Sequence, residues 1–161
     1  MNMDYPYFSD IDIDLNFFDN LYDGLQDNQS QQYFNSDLFN NKFHNDVSNF
    51  SNNLSIMHVN IRSISANGDE LIAYLETLIL RFDIICLTET WLDDDKYIDD
   101  IFTGYVGYHS MRQNRRGGGV SIYVNNEFVS KELHESSCNL DHIEIVFADV
   151  IQNNKHFITF R

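Results

Sequence analysis

Residues 82–92 read Phe82-Asp83-Ile84-Ile85-Cys86-Leu87-Thr88-Glu89-Thr90-Trp91-Leu92. The apolar run inside this stretch has the pattern of a buried strand, where alternation disappears because both faces meet core. It delivers one carboxylate, Glu89, at its end. Loops at the carboxyl ends of sheet strands are where α/β and layered folds build their clefts. A rigid strand can hold a charged group there at the edge of the core without burying it. Glu89 is therefore the first candidate for chemistry.

Upstream, Leu54-Ser55-Ile56-Met57-His58-Val59-Asn60 alternates as a strand that ends in a polar residue. Asn67 with Glu70 three positions later resembles a capping box, and Leu71, Ile72, Leu75, Leu78 and Ile79 recur at helical spacing. A helix of about three turns is expected between the two strands. A strand–helix–strand unit crosses over right-handed and leaves its strands parallel in one sheet. Asn60 and Glu89 then emerge at the same edge.

Downstream, Asp93 to Asp100 is an acidic loop without the ligand alternation or glycine of an EF-hand. Tyr105 to Arg112 and Val120 to Val124 read as strands, joined by Asn114-Arg115-Arg116-Gly117-Gly118-Gly119, a turn open to positive backbone dihedrals. Arg112, Arg115 and Arg116 are three of only 10 basic residues. They form the one local patch suited to phosphate, with a charged hairpin tip as the alternative. Ile143 to Ile151 and Phe157 to Phe160 read as a hairpin joined through Gln152-Asn153-Asn154-Lys155, whose outer edge is left unpaired as in a fragment.

The formal net charge is −15, so the molecule as a whole repels nucleic acid and anionic membranes, and any nucleic-acid contact must rest on a local patch or on metal ions. Two cysteines, Cys86 and Cys138, make neither a disulfide framework nor a metal-ligand spacing. There is no basic n-region of a secretory signal and no apolar run of membrane-spanning length. The expectation is an intracellular protein of nucleus or cytoplasm, not secreted and with no membrane partner. Composition shifts near Leu54. Residues 1–53 hold nine Asp, no Glu, one Lys and eleven Asn, with Phe8, Phe17, Phe18, Phe34, Phe39, Phe43 and Phe50 scattered without a period. They read as a disordered acidic tail, because scattered aromatics among like charges do not offset about 1–2 kcal/mol of ordering entropy per residue. Within it, Asp10-Ile11-Asp12-Ile13-Asp14-Leu15 alternates acid and aliphatic, either as a partner-docking motif or as plain low complexity.

Three motifs in order, His58-Val59-Asn60-Ile61-Arg62-Ser63, then residues 82–92, then Arg115-Arg116-Gly117-Gly118-Gly119-Val120-Ser121-Ile122-Tyr123, resemble the amino-terminal half of an endonuclease/exonuclease/phosphatase domain. The nearest resemblance is to the apurinic-like endonuclease that precedes the reverse transcriptase in non-LTR retrotransposons, over about Leu54 to Arg161. The resemblance implies α/β architecture, the amino-terminal part of a four-layered, DNase I-like sandwich, and Mg²⁺-dependent hydrolysis of DNA phosphodiesters. It assigns Glu89 as a metal ligand and Asn60 as the amide that orients a catalytic carboxylate or the phosphate. Arg112, Arg115 and Arg116 become the candidate DNA contacts, and a reverse transcriptase domain a candidate partner in an intact parent protein.

The residue types suit the task. Mg²⁺ prefers carboxylate oxygen and keeps several waters, so one Glu with phosphate oxygens can hold it. An Asn carries a donor and an acceptor that stay neutral at every working pH. Taken without the motifs, Asn60 reads equally as a strand-end residue and Glu89 as a solvated acid or helix cap. The family's Asp-x-Asn segment and closing Asp-His pair fall beyond the matching stretch, and His58, His109, His134, His142 and His156 are not assigned their roles. Phe160 stands where the family usually has a Tyr. The polypeptide is therefore expected to be inactive alone. Two other readings stand beside this one: a family phosphatase acting on a small molecule or lipid, and a non-enzymatic interaction protein working through the acidic aromatic tail.

Overall fold

A computed structural model describes residues 35–44, 54–92, 101–112, 117–134, 138–140, 143–152 and 155–160. The expectations for Asp10–Leu15, for Asp93–Asp100 and for Arg115 and Arg116 lie outside the described residues.

Strand β1 (Ile56–Asn60) leads through helix α2 (Ile64–Glu76) into β2 (Ile84–Thr88), and the two strands are parallel as the crossover requires. Helix α1 (Ser36–Phe43) precedes them; β3 (Tyr105–Ser110) and β4 (Val120–Asn125) follow. The order in the first sheet is β1-β2-β4-β3, with β4 antiparallel to both neighbours. A second, antiparallel sheet has the order β5-β8-β9, formed by Val129–Glu132, Phe147–Gln152 and Lys155–Phe160. The pair β6 (Cys138–Leu140) and β7 (Ile143–Ile145) stands apart from it.

Two cores explain the unbroken apolar run of β2. Ile85 and Leu87 pack with Met57, Val59, Ile64, Leu71 and Phe82 on the helical side. Ile84 and Cys86 pack with Ile122, Val124, Val146, Ala148 and Val150 on the side of the second sheet. Successive side chains thus enter opposite cores, and neither face calls for a polar residue. The described layers are helices, sheet and sheet, a mixed α/β arrangement consistent with part of a DNase I-like fold. Among the described residues no helix covers the outer face of the second sheet.

The helix begins earlier than its expected cap. Asn67 lies inside α2, where its amide donates to Ile61 O at 2.8 Å and Arg62 O at 3.2 Å. Ser63 makes no side-chain cap; instead the Ile64 N–H is taken by Thr90 O at 2.9 Å. An exposed helix N-terminus needs acceptors, and here the chain leaving β2 supplies one. The helix also stops before Leu78 and Ile79, because Thr77 and Ile79 turn to meet α1.

Residues 35–44 depart from the tail expectation. Asn35 caps α1 by accepting from Leu38 N at 2.8 Å. Phe39 is buried in the helical-side core, its ring 6.2 Å from that of Phe82. The Asn40 amide donates to Thr77 O at 2.8 Å and accepts from Ile79 N at 2.7 Å. Aromatic residues without a period over a whole segment still anchor one short helix when the groove that receives them is preformed. The expected strand Ile143–Ile151 is likewise two strands, parted at buried Val146 and pairing with different partners.

Candidate active site

At the starts of β1 and β2, Ser55 and Asp83 hold each other. Asp83 Oδ2 accepts from Ser55 N at 2.7 Å and from Ser55 Oγ at 2.8 Å, and Asp83 N donates back to Ser55 Oγ at 2.9 Å. This locks the parallel register, which five residues on sets Asn60 opposite Thr88. Met57 and Val59 enter the helical-side core while Ile56 packs against the other. Alternation then turns His58 and Asn60 toward the space between the two sheets. Asn60 Oδ1 is buried there and accepts no hydrogen bond from any described donor. A buried, unsatisfied oxygen costs about 1–3 kcal/mol, so this atom is open to a partner such as a water molecule or an ion.

Beyond the strand ends three loops are stitched together. Ile61 N donates to Thr88 O, Ser63 N to Glu89 O, Thr90 N to Gly119 O and Trp91 N to Gly118 O, at 2.7–3.2 Å. Glu89 and Trp91 have φ of 55° and 53°, Ser63 94°. Left-handed backbone at non-glycine residues is strained, and it gathers where function dictates geometry. Gly117, Gly118 and Gly119 all have positive φ, as the turn expectation requires. Of these, Gly118 is the tightest, since a Cβ there would run into the Arg112 guanidinium, and at Gly119 a Cβ would stand 2.6 Å from Thr90 Oγ1.

Glu89 Oε2 accepts from Trp91 Nε1 at 2.8 Å and from Gly118 N at 2.9 Å. These two bonds, with the Arg112 charge nearby, hold its carboxyl below the usual carboxylate range against partial burial and the charge of Glu144. The group is ionised at neutral pH. Arg112 sits at the same site, but Nε and Nη2 are engaged by Glu144 at 2.6 and 2.9 Å in a two-pronged pair. Glu144 Oε2 also accepts from Gly119 N at 3.4 Å. The cluster Glu89, Glu144 and Arg112 is thus net negative and receptive to a cation.

The structure therefore brings Glu89, Asn60 and Arg112 to one edge. Trp91 and Glu144, which sequence reasoning did not assign, join them. Trp91 was visible only as a neighbour of Glu89; Glu144 lies on β7, a distant strand whose approach no local pattern announces. Among the described residues no three Asp, Glu, His or Cys side chains form a closed metal cage. The donors that are present, one ionised carboxylate and one unpartnered amide oxygen, fit a hard divalent ion that retains water. No described helix is long and apolar enough to cross a membrane.

Among curated proteins none matches the chain. The model of the Endonuclease/Exonuclease/phosphatase family matches residues 57–152, which include both strand ends, the glycine turn and Glu144. That match spans more than half of the sequence and begins and ends within the two-sheet unit just described; the chain belongs to the endonuclease/exonuclease/phosphatase family, whose members hydrolyse phosphodiesters or phosphate esters and generally use divalent metal ions.

Proposed function

We propose that this chain carries the metal-binding edge of a Mg²⁺-dependent phosphodiesterase acting on DNA, of the retrotransposon endonuclease type. The observation that supports this most is the placement of an ionised Glu89 and the orphaned Asn60 Oδ1 at the ends of adjacent parallel strands. A bound Mg²⁺ would neutralise charge on the phosphate and polarise it toward attack by water. Glu89 holds that ion, and Asn60 offers its amide oxygen to a donor or to the ion's water shell. Neither residue is a general base, and Arg112, committed to Glu144, orders the glycine loop as well as facing the phosphate. Arg115 and Arg116, which lie outside the described residues, add to the basic patch that the sequence offers to DNA.

A polypeptide limited to residues 1–161 is expected to bind without turning over. Losing a base or a transition-state stabiliser costs about 10²-fold or more each. The test pairs two measurements on purified protein: fluorescence anisotropy of a labelled DNA duplex with and without Mg²⁺, and nicking of supercoiled and abasic DNA. Mg²⁺-dependent duplex binding, weakened in Glu89→Gln, with nicking near background, is the expected result. Binding of inositol phosphates in preference to DNA would favour the phosphatase reading. Vigorous nicking abolished by Glu89→Ala would overturn the expectation of inactivity.

A further inference from the structure

Trp91 is the chain's one tryptophan, and it belongs to neither core. Its side chain stands at the rim of the site, 38% exposed, with Nε1 donating to Glu89 Oε2. The Gly118 N–H reaches the same oxygen. A carboxylate oxygen has two lone pairs, so two donors on Oε2 occupy both. Among the described residues none donates to Oε1. We propose that Trp91 is a positioning residue for the metal-binding carboxylate: with the Gly118 amide it fixes Oε2, so that Oε1 is the oxygen presented to a divalent cation. This rests on Glu89 being a metal ligand.

The local backbone is shaped for that bond. Left-handed φ at both Glu89 and Trp91 folds the chain so that the indole returns onto a carboxylate two residues earlier. Trp91 N is tied to Gly118 O at 2.9 Å, and a Cβ on Gly117 would lie 3.5 Å from Trp91 Nε1 and 3.6 Å from Glu89 Oε2. The glycine turn therefore wraps the pair closely. Arg112 lies against Gly118, where any Cβ would collide with its guanidinium, and Glu144 fixes Arg112 in place. A ring serving only to fill space would sit in the core; this one stands at the rim and directs its N–H onto Glu89. Groups that orient metal ligands in this way alter metal affinity about 10- to 100-fold when removed.

A lone tryptophan gives a single indole ¹⁵N–¹H cross-peak, which reports the contact directly. Titration of labelled protein with Mg²⁺ should move that peak in the wild type. In Glu89→Gln the peak should start at higher field and cease to respond. Mn²⁺ affinity, read from the free-ion electron paramagnetic resonance signal, should fall about tenfold in Trp91→Phe, which keeps an aromatic ring but has no donor. A thermal melt of Trp91→Phe close to that of the wild type establishes that the loss is local. Unchanged Mn²⁺ affinity in Trp91→Phe, with Glu89→Gln impaired, would overturn the positioning role and leave Glu89 as ligand. An indole peak indifferent to Mg²⁺ in a protein that binds it would overturn the role independently of any change at Trp91. Equal Mn²⁺ binding by wild type and Glu89→Gln would overturn the ligand assignment itself.

Discussion

Asn60 pairs with Thr88 across the parallel β1/β2 ladder, which sets the last residue of one strand beside the residue that precedes Glu89. The pairing depends on the far end of the strands, where Ser55 and Asp83 exchange four hydrogen bonds, one of them between backbone groups. A shift by one residue would turn Asn60 into the helical-side core and Val59 out of it.

Asp83→Ala should therefore act on the site from a distance. It leaves the Ser55 N–H and hydroxyl without their acceptor, a loss of about 1–3 kcal/mol. Urea denaturation measures the loss, and divalent-ion affinity should fall with it because the register is no longer pinned.

Two glycines should respond in opposite directions to alanine. At Gly119, φ is +82° and the new methyl would stand 2.6 Å from Thr90 Oγ1, so Gly119→Ala should destabilise by about 1–3 kcal/mol. At Gly68, inside α2, the nearest atom to a Cβ is Ile64 Cγ1 at an ordinary 3.7 Å. Gly68→Ala should stabilise by about 0.5–1 kcal/mol through helix propensity and a less flexible unfolded chain. Parallel urea curves would show a lowered midpoint for the first and a raised one for the second.

Helix α1 belongs to the folded unit. Phe39→Ala empties a site shared with Phe43 and Phe82 and should cost about 2–4 kcal/mol. A chain starting at Leu54 should melt at a lower temperature than one starting at Phe34. Equal melting of the two would mean that α1 adds nothing to stability.

The Glu89 carboxyl is depressed first by the Trp91 hydrogen bond and then by the Gly118 amide. The sign follows: a carboxyl with a folded-state pKa below its unfolded value adds stability above the unfolded pKa and loses it as pH falls through the folded one. Divalent-ion binding should accordingly persist into pH where ordinary carboxylates have begun to protonate. In Trp91→Phe the acidic limb of a Mg²⁺-binding profile should move to higher pH.

Much of the placement of the candidate site was legible in sequence because its residues stand at strand ends. The apolar run of β2, the polar end of β1 and a helix between them are enough to place Asn60 and Glu89 at one edge, and three glycines announce a turn with positive φ. What stayed hidden depends on contacts between distant segments. Glu144 reaches Arg112 from β7, and nothing in Ile143-Glu144-Ile145 marks its acid as inward-facing. Asn67 reads as a cap because its spacing to Glu70 is right, yet the acceptor that starts α2 comes from Thr90. Phe39 and Asn40 lie in an aperiodic acidic segment, and only the groove formed by Phe82, Thr77 and Ile79 gives them a place.

Isothermal titration of the wild type, Glu89→Gln and Asn60→Ala with Mg²⁺ tests the site most directly. A single binding event should be seen in the wild type, lost in Glu89→Gln and weakened in Asn60→Ala, with all three proteins melting alike. Undiminished Mg²⁺ binding by a folded Glu89→Gln protein would contradict the assignment of this carboxylate as the metal ligand.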